Sequence, residues 1–295
     1  MRIFLILLLC WCGGARAAAA GGMEYRYWDW GQTSKRDDYQ YALLQLALEH
    51  TTAEFGPYQL SRVLRNFSTL RSRREVAAGT TINVRAGPWL APGPDTTADR
   101  AIAIDISLMG NLLGTRALLI RREDLSVFNA IERIAQLKAL TAGQGAKWVE
   151  VTMYRRAGFQ VVDSGNVNTL LAMLANKRFD YLPMSIIEVQ SALAQHPELG
   201  QQLTVAPDIL LSYPLPVVFH VSARHPRLAQ RVERGLLLAR RDGSFEALLR
   251  HYFSPELAAA RRARHVFRVA NPDAPAHLLS SGPWGELLPN GAAAN

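Results

Sequence analysis

Short apolar runs alternate with amphipathic stretches along most of the chain. Residues 24–30 (EYRYWDW) have the aromatic, alternating character of a strand, and residues 38–51 place Leu43, Leu44, Ala47 and Leu48 on one side of a helix. Strand-like runs recur at 58–64, 80–85, 100–106, 117–121, 139–141, 159–163, 179–183, 203–206 and 214–222. Helical periodicity falls between them. One helix runs from a Ser68 or Thr69 cap to Gly79, and another from Asp124 or Ser126 to about Lys138. Others cover 149–157, 166–177, a segment starting near Ser185, 227–240 and 244–252. Such alternation predicts an α/β protein with mostly parallel sheets. The units are too many for one compact sheet, so two lobes of about one hundred residues each are expected. From Ser254 on, Ala, Pro and Gly dominate, and 255–295 is expected as a poorly ordered C-terminal tail.

The first residues follow a different pattern. Arg2 precedes a short apolar run at 3–11, and Ala15-Arg16-Ala17 fits the small-x-small pattern at a cleavage site. Residues 1–17 are therefore expected to be a signal peptide for export, with a cut after Ala17 and Ala20 as the alternative. Cys10 and Cys12 are the two cysteines of the chain, so the mature part has no disulfide or cysteine metal site. No later run reaches eighteen apolar residues, and no membrane span is expected in the mature chain.

Composition narrows the field further. Hydrophobic residues make up 49% of the chain and charged residues 20%, which excludes a disordered or coiled-coil protein. The net charge is +8, and loss of Arg2 and Arg16 with the signal leaves 31 basic against 25 acidic residues. This excess favours anionic partners in general. The basic runs at 71–74 and 261–265 are not interleaved with aromatics, so no nucleic-acid partner is expected.

Catalytic motifs are missing from the sequence. There is no G-x-S-x-G elbow, no phosphate-binding Walker loop, no H-E-x-x-H and no dinucleotide glycine spacing. The seven histidines are scattered, and no metal site, cofactor or catalytic residue is expected. Several segments, taken in order, resemble the type 2 periplasmic solute-binding proteins of the amino-acid-binding kind, family 3. They are TTADRAIAIDISLM (96–109), ALLIRRED (117–124), LKALTAGQG (137–145), LLAMLANKRFDYLP (170–183) and, most specifically, 216–253 with its return strand, HPRL and DGS. The resemblance covers roughly residues 23–254.

It implies a two-lobed α/β fold with two hinge crossings, near 114–118 and 213–217. Lobe 1 would combine 23–116 with 216–254, and lobe 2 would be 117–215. It implies a periplasmic, non-enzymatic, monomeric protein that captures a small polar, carboxylate-bearing ligand and hands it to an ABC permease. An orphan or sensory binding role and a dehydratase-like enzyme on the same fold are the alternatives. For the enzyme, Asp29, Asp105 and Glu188 are the candidate acid–base groups.

The implied ligand contacts are Arg100 as the carboxylate clamp, the turn Gly145-Ala146 at a helix start, Trp28 in the first strand, Asn111 in the segment after 109, and Ser185. The chain departs from the family where the ligand ammonium should be paired. Asp180 matches the family's R-x-D aspartate, but five residues on stands the neutral Ser185. Glu188, one turn further, is expected as a solvated helix residue. A ligand with a carboxylate and no ammonium is the expectation.

Overall fold

The computed structural model describes residues 22–278, except 32, 90–99, 147 and 276. The expected signal segment, the residues after 278, and the loop that precedes Arg100 lie outside the described residues. The strands are β1 (Met23–Asp29), β2 (Tyr58–Leu64), β3 (Val84–Pro88), β4 (Ala101–Ala103), β5 (Thr115–Arg121), β6 (Thr141–Gln144), β7 (Gln160–Asp163), β8 (Tyr181–Ser185), β9 (Leu203–Ser212), β10 (Val217–Ser222) and β11 (His265–Arg268). The α-helices are α1 (Ser34–Glu49), α2 (Thr52–Phe55), α3 (Thr69–Ala78), α4 (Leu125–Asn129), α5 (Ile134–Lys138), α6 (Val149–Arg156), α7 (Val167–Ala175), α8 (Val189–Ala194), α9 (Pro226–Arg241) and α10 (Ser244–Arg262).

The strands form two sheets, in the orders β2-β1-β3-β10-β4 and β11-β9-β5-β8-β6-β7. These sheets are mixed, not mostly parallel. β1 runs parallel to β2 and β3, and β6 parallel to β7 and β8. β10 is antiparallel to both its neighbours, and so is β5. The cause is the chain path. It leaves the first sheet after Leu108, enters the second through β5, and returns after Ser212 to form β10. The outgoing and returning strands β5 and β9 therefore lie side by side in opposite directions, and β10 enters the first sheet from the crossing end.

Local chemistry sets the helix ends. Ser68 Oγ accepts the Arg71 N–H at the start of α3, and Gly79, at φ 69°, closes it. Asn166 caps α7 through the Thr169 N–H. The single helix expected at 124–138 is broken into α4 and α5, because the Gln136 amide oxygen takes the N–H groups of Glu132 and Arg133 and starts a new helix there.

The C-terminal region also differs from expectation. Instead of a loose tail from 255, α10 runs to Arg262 and β11 joins the second sheet beside β9. α10 kinks at Phe253 (φ −124°, ψ 18°), so Pro255 sits near the start of its second segment, where a missing N–H is tolerated. Leu257, Ala260, Phe267 and Val269 are buried and hold this part down.

One face of the first sheet packs Tyr27 and Phe219 against α1, α9 and α10, with Tyr39, Leu43, Leu44, Leu236 and Phe253 buried between them. Its other face packs Trp28, Phe67, Val76 and Ile82 under α3. The second sheet buries Leu118, Leu119 and Tyr181 against Leu137, Tyr154, Leu170 and Leu174. Each such side chain, fully buried, contributes about 1.5–3 kcal/mol. The C-terminal ends of β1 and β3 face the crossing from one side, and those of β6 and β8 face it from the other.

Candidate functional site

Where the two sets of strand ends meet there is a cavity of about 320 Å³. The first lobe contributes Arg73 from α3 and Trp89 from the end of β3. The second contributes Val149, Glu150, Thr152 and Met153 from α6. Tyr213 and Leu215 of the returning crossing form the back, and Asn271 and Asp273, after β11, close one side. A space bounded by both lobes and their connection is a common position for a ligand site in α/β proteins.

Its polar groups are organised by a buried ion pair. Arg116, at the start of β5, donates to the Glu150 carboxylate at 2.6 Å, and its guanidinium lies 5.3 Å from the Tyr213 ring centre. The Tyr213 hydroxyl donates to the same carboxylate at 3.4 Å. Burial opposes the charge on Arg116, but Tyr213, Glu150 and Glu188 together hold its guanidinium above its ordinary range. Glu150 thus reaches the cavity already neutralised. On the other side Asp273 lies 3.6 Å from Arg156, and the Asn271 amide donates to the Pro214 carbonyl.

The residues expected as ligand contacts are distributed widely. Arg100 is exposed beside Ala101, which pairs with Ser222 at the last residue of β10. Because β10 begins at the crossing, Arg100 lies at the far end of the first sheet and not at the cavity. The expectation assumed a short path from β3 to the arginine, whereas β4 starts at the bottom of the sheet. Ser185 is fully buried, and its hydroxyl donates to the Leu112 carbonyl at 3.1 Å, so it serves the outgoing crossing. Asn111 spans the two crossings. Its amide N–H donates to Ser212 Oγ and its oxygen accepts the Leu215 N–H. Trp28 stacks on Phe67 in the core under α3, and its indole N–H donates to the Arg65 carbonyl. Gly145 and Ala146 do lie at the inter-lobe end of β6, just before cavity-lining Val149. The Ala146 N–H, however, is taken by the Gly165 carbonyl.

The candidate acid–base groups are engaged as well. Asp29 accepts the Gly31 N–H and faces Arg62 at 3.3 Å, and Asp105, exposed, lies 3.5 Å from His277. Glu188 is not a solvated helix residue. It forms an ion pair with Arg36 of α1, which ties the second lobe to the first beside Trp30. Among the described residues no cluster of three metal-ligating side chains occurs, and no helix is long and apolar enough to cross a membrane. Trp89, Glu150 and Tyr213 were missed from sequence. Trp89 stands directly after an apolar strand, and only its place at the crossing distinguishes it from a core aromatic.

No protein-family model matches the chain, and no curated protein matches it in sequence. Solved structures do match in three dimensions. One, from work on glutathione import via GshT and the cystine ABC importer TcyBC of Streptococcus mutans, superposes with a TM-score of 0.55 at 12% identity, over 79% of this chain and 95% of the other. An ancestral arginine-binding protein bound to arginine gives 0.51 at 12% identity, over 79% and 98%. A histidine kinase sensor domain with similarity to periplasmic binding proteins gives 0.50 at 15% identity, over 78% and 95%. The chain has the two-lobed type 2 periplasmic-binding-protein fold.

Proposed function

We propose that this protein is a non-enzymatic solute-binding protein that captures a small polar, carboxylate-bearing ligand between its lobes. The observation that carries this reading is the cavity enclosed by α3, the end of β3, α6 and the returning crossing. Trp89 supplies an apolar wall, Thr152 and Tyr213 supply hydroxyls, and the turn at 145–146 leads into the helix that lines the opposite side. Glu150 and Glu188 are each paired with an arginine of the chain, which supports a ligand lacking an ammonium. Export through residues 1–17, residence in the periplasm and delivery to an ABC permease complete the proposal. The likeness to a histidine kinase sensor domain supports a sensory role as the second reading.

The test is a thermal-shift screen with amino acids, dicarboxylates, phosphates and small sugars. A ligand at one hundred times its Kd should raise Tm by about 5–10 °C. Trp89→Ala should weaken that response at least tenfold, and mass spectrometry should recover the ligand unchanged. Conversion of the ligand would replace the carrier reading with an enzymatic one.

A further inference from the structure

The buried cation with no explanation in this fold is Arg85. It lies in β3 and is only 3% exposed. The neighbouring Val84 points into the main core with Tyr27 and Phe219, so strand alternation turns Arg85 to the opposite face, under α3. Among the described residues its side chain makes no hydrogen bond or ion pair, and its Nε is buried without a partner. Its immediate surroundings are cationic or neutral. Arg73 of α3 repels it. His220, paired with it across the ladder, accepts no charge near neutral pH, because burial and then Arg85 push its pKa down to about 3. Burial and Arg73 lower the Arg85 pKa to about 10, which leaves the guanidinium charged at neutral pH.

The direction of the side chain is also informative. A Cβ at Gly87 would run into Arg85 Nη1, so the guanidinium extends along the strand towards its C-terminal end, and the missing side chain of Gly87 makes room for it. The next residue on that face is Trp89, which lines the inter-lobe cavity together with Arg73. A buried charge needs a counter-charge, and a guanidinium fork is suited to a carboxylate or phosphate. We propose that Arg85, with Arg73 at the rim, forms the anion subsite of the inter-lobe cavity and replaces Arg100 as the group that receives the acidic end of the ligand. This inference rests on the solute-binding reading and names the ligand class within it: a small carboxylate or phosphate anion.

The experiment measures thermal shifts of the full chain at constant ionic strength, with inorganic phosphate, succinate and the uncharged diamide of succinate as probes. The expected result is a rise in Tm with phosphate or succinate and none with the diamide, and the larger of the two responses identifies the anion class. Arg85→Gln should weaken the anion response at least tenfold, and Arg85→Lys should retain part of it. Arg85→Met should raise Tm in anion-free buffer, because it removes an uncompensated buried charge; an arginine with a structural partner would lower it. Equal anion responses in wild type and Arg85→Gln overturn the proposal. If a neutral solute from the wider screen stabilises both proteins equally while anions do nothing, the Arg85 proposal falls and solute binding stands. If neither anions nor any other solute shifts Tm, both readings fall.

Discussion

Ser185 and Asn111 have the polar chemistry of ligand contacts, yet both are used to hold the crossing. The Ser185 hydroxyl binds the Leu112 carbonyl, and the Asn111 amide joins Ser212 to Leu215. Gly114 lies so close to the Tyr213 carbonyl that no side chain fits there. Residue type suggested function at these positions, but the tertiary position uses them as structural links. His220 supports a prediction at the same scale. Its ring is buried, faces Arg85 and Arg73, and accepts or shares hydrogen bonds with the Pro88 and Gly87 carbonyls. Its folded-state pKa of about 3 lies below the ordinary 6.5. The unfolded chain therefore takes up a proton first as pH falls, and the stability His220 contributes above pH 6.5 is lost between 6.5 and about 3. The expected slope is up to about 1.4 kcal/mol per pH unit. Urea titrations across that range should show a shallower acid decline for His220→Gln than for wild type.

At the scale of elements, most helices and strands were legible because their apolar positions repeat with the required period. The strand at 58–64 and the α3 helix with its Ser68 cap and Gly79 stop match the expectation. The C-terminal segment does not, because its Ala, Pro and Gly content concealed a short apolar series, Leu257, Ala260, Phe267 and Val269. These residues make sense only against surfaces supplied from elsewhere: α10 packs on α1 and α9, and β11 on β9. If this packing stabilises the protein, Leu257→Ala should lower unfolding free energy by about 2–5 kcal/mol, measured by urea denaturation. A change below about 0.5 kcal/mol would mark the segment as an unconnected appendage.

At the scale of the whole molecule, the two lobes are joined by more than their crossings. Arg36 of α1 and Glu188 at the start of α8 form an ion pair between them. Both side chains are largely shielded, so the pair resists opening more than a surface pair would. Ligand affinity in a hinged protein depends on how strongly the ligand prefers the shut form. Glu188→Gln should therefore favour an open arrangement of the ligand-free protein, read as a larger radius of gyration in small-angle scattering. An unchanged radius would show that the crossing alone holds the lobes.

By itself the sequence determined the α/β class, most of the elements and the expectation of two lobes, since burial periodicity and turn chemistry act over short stretches of chain. Only the tertiary structure decided which charged groups meet across the lobes, where Arg100 lies on its sheet, and which arginine remains buried without a counter-charge. Those outcomes depend on strand register and on the direction in which each strand enters its sheet. Such pairings join residues as far apart as Arg36 and Glu188, and local sequence pattern carries no record of them.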